Sequence, residues 1–143
     1  MSDYYDLFLA LELRGDLPDE VIREVRWHLG LTDDPPARFE AFSDDGWFHE
    51  KPYSFFPGTG ESRAFPGADV TALVRSSLLD EAGSPWELTV RGCVHEDEIN
   101  YAMELIVWLA TQSTTEGWVG YLGHTHDTAP RHMYHRDGAI TVD

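Results

Sequence analysis

The chain of 143 residues carries 26 Asp and Glu against 10 Lys and Arg, for a formal charge of −16 and a pI near 4.5. That balance excludes the basic patch a phosphate backbone requires and disfavours anionic membrane surfaces, so neither nucleic acid nor membrane is an expected partner. Length and a 42% apolar share suit a single globular domain over 1–143, and the lone cysteine, Cys93, allows no intrachain disulfide and no cysteine-rich zinc module.

From Tyr4 to Arg14 apolar residues alternate, with Tyr5, Leu7, Leu9, Leu11 and Leu13 on one face, which predicts a long strand. Gly15-Asp16 ends it. Pro18 is placed to open a helix that Gly30 can close, with Val21, Ile22, Val25 and Leu29 as its buried stripe and Glu20, Arg23 and Glu24 turned to solvent. Trp27 points away from that stripe and is a candidate contact residue.

Leu31 to Gly67 has no sustained period and is broken by Pro35, Pro36, Pro52, Pro57 and Pro66. It also carries Phe39, Phe42, Trp47, Phe48, Tyr53, Phe55, Phe56 and Phe65, too much aromatic surface for a disordered linker, so a packed flap is expected. The stretch from Pro36 to Phe42 has room for a helical turn or two. The flap either covers a site or plugs the edge of the core.

A strand is expected from about Ala68 to Ser77, with a short helix as the alternative, and Gly83-Ser84-Pro85 then turns the chain. Trp86, Leu88, Val90 and Val94 alternate with polar partners, the pattern of a strand buried on one face. Glu96, Asp97 and Glu98 suit a helix start with Asp97 as N-cap, and Ile99, Ala102, Met103, Ile106, Leu109 and Ala110 recur at helical spacing. Tyr101 and Trp108 flank that stripe. Gly117 to His126 and Arg131 to Arg136 read as two further strands, and Asp137-Gly138 turns the chain into a short apolar tail.

The fold class expected from this order is α+β: a ferredoxin-like β-α-β-β-α-β-β sandwich, an antiparallel sheet with two helices on one face and a long aromatic-rich loop. One sheet face would stay open, showing Asp6, Phe8, Glu12, Arg14, Thr89, Arg91, Cys93 and His95. The segment Leu13-Arg-Gly-Asp-Leu-Pro-Asp-Glu-Val-Ile22, Tyr101 and Trp108, Gly120-Tyr121, and Pro130 before Met133-Tyr134 together resemble a group of small bacterial α+β proteins. The resemblance implies the architecture and brings no activity with it.

Chemistry is sparse. His124, His126 and His132 are the candidate metal ligands: a five-residue connection from Asp127 to Arg131 would set His126 opposite His132, with Asp127 beside them. A structural role for these histidines is the competing expectation, and no cofactor is expected. Cys93, between Arg91 and His95 on one strand face, has the neighbours that could activate a thiol, although inert buried cysteine is the commoner case. The expected function is a non-enzymatic, cytoplasmic protein-binding domain, regulatory or inhibitor-like. It would meet a protein partner or a second copy through Trp27, Tyr101, Trp108, Arg91 and His95. The alternative is a small enzyme or ligand-binding protein with its site between the open sheet face and the 31–67 loop.

Overall fold

The computed structural model describes residues 3–42, 54–56, 58–76 and 83–143. Trp47, Phe48 and Tyr53 of the aromatic loop, and Ser77 at the end of the expected strand, lie outside the described residues. The protein is α+β: a seven-stranded antiparallel sheet with, among the described residues, two α-helices.

The strands are β1 (Tyr4–Leu13), β2 (Gly60–Glu61), β3 (Ala68–Arg75), β4 (Trp86–His95), β5 (Gly117–His124), β6 (Arg131–Arg136) and β7 (Ala139–Val142). They lie in the order β2-β3-β4-β1-β5-β6-β7. That order differs from the expected ferredoxin-like sheet, because the two-residue β2 adds an edge beside β3 and the apolar tail pairs with β6 as β7. The Asp137-Gly138 turn makes this last hairpin tight. Both residues have positive φ, 53° and 79°, the twist that two-residue hairpins require.

β1 is central. It pairs with β4 over its whole length, Tyr4 opposite His95 through Leu13 opposite Trp86, and with β5 from Tyr5 to Leu9. Alternation then sorts the side chains. Leu7, Leu9, Leu11, Leu13, Leu88, Val90 and Val94 are buried in one core cluster with the helices, while Asp6, Phe8, Thr89, Arg91 and Cys93 occupy the outer face.

Helix α1 (Asp19–His28) follows Pro18, and the Gly30 and Leu31 amides bond back to Trp27 and Arg26 at its end. Helix α2 (Ile99–Thr111) follows a 3₁₀ turn at Glu96–Glu98. The cap differs from the expected one: the His95 ring, not Asp97, accepts the Asp97 amide, because β4 delivers that ring directly above the helix start. Neither helix is long and apolar enough to cross a membrane. The stretch Pro36 to Phe42 forms bends and a turn and no helix, since its amides bond to a side chain of α1.

Two irregularities shape β5. Between Trp118 and Gly120 the pairing with β6 shifts by one residue, a β-bulge that inserts Val119. Gly120 itself lies so close to β1 that a Cβ there would sit 1.9 Å from the Phe8 carbonyl oxygen. Only glycine fits.

Candidate functional site

Trp27, Tyr101 and Trp108 do not project as a contact surface. Trp108 is 8% exposed, Tyr101 packs 6.1 Å from Phe42 and 6.0 Å from Phe55, and Trp27 lies 6.1 Å from Phe39. Flap aromatics pack on Trp27 and Tyr101, and Trp108 is buried beside His28. These rings and the loop aromatics surround His28, which is 5.7 Å from both Phe39 and Phe42 and 6.0 Å from Trp108.

Beneath the flap lies a polar centre that the residue types concealed. Glu24, expected in solvent, is 1% exposed and accepts three hydrogen bonds: from His28 Nε2 at 2.9 Å, the Ala41 amide at 2.9 Å and the Glu40 amide at 2.5 Å. A buried carboxylate needs such donors, and the loop backbone supplies them. The signal was in the spacing, because Val21, Glu24, Val25 and His28 fall on one helical stripe.

On the outer face, Arg91 grips Asp6 through Nε at 2.8 Å and Nη2 at 3.1 Å, while its Nη1 donates to the Ala68 carbonyl at 3.2 Å. The Asp6 carboxylate, ahead of weaker effects, holds the guanidinium above the usual arginine range. Arg91 therefore ties β1, β4 and β3 together. Beyond it, Phe8 stacks on Tyr121 at 5.5 Å and on Trp118 at 6.0 Å, and Trp118 is 46% exposed. The bulge creates this row by turning both Trp118 and Tyr121 outward.

The three-histidine arrangement does not form. Asp127 accepts the His124 amide and returns its own amide to the His124 carbonyl, both at 2.9 Å, ending β5 two residues earlier than expected. The register moves accordingly. His132 stands opposite Tyr121 and accepts from Trp118 Nε1 at 2.9 Å, away from the other two histidines. His124 and His126 instead meet Asp3 and Glu96. Among the described residues, Asp3, Glu96 and His124 bring ligand atoms within 4.8 Å of one another. His124 Nδ1 accepts the His126 amide at 3.2 Å, so the neutral ring carries its proton on Nε2, which faces Asp3 at 3.7 Å and Glu96 at 4.0 Å. A metal-ligating imidazole keeps the opposite arrangement, a bare nitrogen toward the ion and a donor behind it. The residues suit a proton held between carboxylates better than an ion.

Cys93 and His95 line a cavity of about 270 Å³ with Tyr4, Phe55, Glu61, Arg63, Asp69 and Glu98, between the 58–67 loop and the ends of β1 and β4. Burial, first among the causes, pushes the Cys93 thiol up against the opposing pull of the Ala64 backbone and Arg63. A thiol kept protonated is a poor nucleophile. His95 Nδ1 is occupied by the Asp97 amide, leaving the proton on Nε2. Asp69 lies on the strand face opposite the exposed Val70 and Val74 and is 7% exposed, and its Oδ1 has no hydrogen-bond partner among the described residues. A larger groove of about 450 Å³ beside Trp86 has its arginines engaged: Arg75 and Arg26 lie 4.7 and 5.5 Å from the Trp86 ring centre, and Arg23 pairs with Asp34 at 3.3 Å.

No protein-family model, curated protein or solved structure matches the chain.

Proposed function

We propose that the protein is a non-enzymatic, acidic protein-binding domain, and that its contact surface is the outer face of the sheet. The observation that carries this reading is the outer-face row of the exposed Trp118 and the half-buried Phe8 and Tyr121, extended by His132 and by Tyr134 under the Arg136 guanidinium at 4.8 Å. Aromatic rings preset in stacked positions supply contact area at little entropic cost, and the charge of −16 favours a basic partner through long-range attraction. The contact residues of this reading differ from those expected, since Trp108 is buried and Trp27 is partly covered by Phe39. For the sheet itself, the middle order β3-β4-β1-β5, with α1 and α2 in its two crossover connections, supports a ferredoxin-like kinship. The resemblance to small bacterial α+β proteins belongs to the same proposal.

Immobilised protein, compared with a Trp118→Ala/Phe8→Ala variant of equal melting temperature, tests the binding reading. A protein retained by the wild type, released by salt and lost from the variant supports it. Identical retention by both, or retention of nothing beyond a bare matrix, refutes it; concentration-dependent self-association lost in the variant identifies a second copy as the partner.

A second reading, ligand binding between the outer face and the 31–67 loop, is favoured by the cavity that contains Asp69.

A further inference from the structure

We propose that this cavity takes a small organic cation, an ammonium or guanidinium group bound by Asp69. The inference rests on the ligand-binding reading and is independent of the aromatic row. Among the described residues no donor reaches the buried Oδ1 of Asp69, and a carboxylate so placed is best met by a group that brings N–H donors and positive charge. The surroundings agree in sign. Glu61, Asp69 and Glu98 set three carboxylates against one guanidinium, that of the exposed Arg63.

Geometry separates an organic cation from a metal ion. Among the described residues the only convergence of three ligand atoms at metal spacing is Asp3, Glu96 and His124, so no three ligand groups of this cavity gather around one point. Acceptors that do not close on one point suit several N–H donors on a planar or extended group better than a single ion. Tyr4 and Phe55 provide aromatic walls that favour a cation's apolar stem. The volume, about 270 Å³, is at the small end for ligand sites. Two sources offer this chemistry: a free amine or guanidine, and an arginine side chain of a polypeptide.

Calorimetric titration of the full chain with butylguanidinium and with acetyl-Gly-Arg-Gly-amide tests the proposal, with pentanamide and pentanoate as neutral and anionic counterparts. Saturable binding of a cationic probe, weakened at least about tenfold by Asp69→Asn, is the expected result. Binding by butylguanidinium alone assigns a free small cation, and tighter binding of the peptide assigns a polypeptide side chain; each supports the shared chemistry. Melting of Asp69→Asn at or above the wild-type temperature shows that an unpaired charge was removed without loss of the fold. Should that variant fail to fold, Glu61→Gln at the exposed edge is expected to weaken the same probe about twofold to fivefold. Cationic binding unchanged in these variants overturns the proposal. Binding of pentanamide or pentanoate with no cationic binding overturns it while the ligand-binding reading survives, and silence from all four probes removes both.

Discussion

Replacing Glu24 should loosen the flap from α1 more than any surface change could. In Glu24→Ala the imidazole of His28, fully buried, loses the carboxylate at 2.9 Å, and the Glu40 and Ala41 amides lose their acceptor. The two amides sit in a partly buried segment and can recover water, whereas His28 cannot. Each hydrogen bond to a charged group contributes about 1.5–3 kcal/mol, and partial rehydration of the two amides places the expected total at about 3 kcal/mol. Glu24→Gln is milder, about 1–3 kcal/mol, because its NH₂ must face one of the two amide donors. Urea unfolding followed by tryptophan fluorescence measures both. A Glu24→Ala variant within about 0.5 kcal/mol of wild type would refute the reasoning, since it would mean that the centre contributes no more than an ordinary surface residue.

Glu87 stands opposite Glu12 across β1 and β4, and partial desolvation on an otherwise exposed side chain, followed by a hydrogen bond to Glu12, raises its pKa. A raised carboxyl favours folding while protonated and loses that contribution as pH climbs through its folded value. Glu87→Gln is therefore expected to gain about 0.2–1 kcal/mol at pH 7, toward the lower end because Glu87 is exposed, and to gain nothing in acid; a loss at pH 7 in chemical denaturation contradicts this. Cys93 should alkylate more slowly with iodoacetamide than a model thiol at pH 8 and accelerate above the ordinary cysteine range, and a rate at or above the model's at pH 8 counts against the protonated thiol. Zinc should leave the melting temperature unchanged, because His124 presents a proton on Nε2; stoichiometric uptake abolished by His124→Ala would reverse that assignment.

Much of the framework was legible in the sequence because it follows from periodicity. The alternation in Tyr4–Leu13 and Trp86–His95 and the apolar stripe of Ile99–Thr111 each have one way to bury their surface. What escaped depended on residue type overriding position or on a partner distant in the chain. Glu24 and His28 share a face with Val21 and Val25, yet a charged residue is assigned to solvent unless its donors are known, and these come from 16 and 17 residues away. Asp69 was hidden the same way: Val70 and Val74 look like the buried side of β3, but the loop covers the other one. The β5–β6 register turned on one side chain, Asp127, which closes the connection early and takes His132 out of the cluster.

The bulge at Val119 carries a lesson about counting. In an unbroken strand Trp118 and Tyr121, three residues apart, would fall on opposite sides of the sheet, and only the extra residue sets them on one side with Phe8 between them. The row therefore depends on chain length at this point as much as on its aromatic members. Trp118→Phe keeps a ring in place, whereas deleting Val119 leaves every aromatic residue in the chain and drives the indole toward the core. Point substitution would see a tolerant surface here, and a one-codon deletion would see an intolerant one.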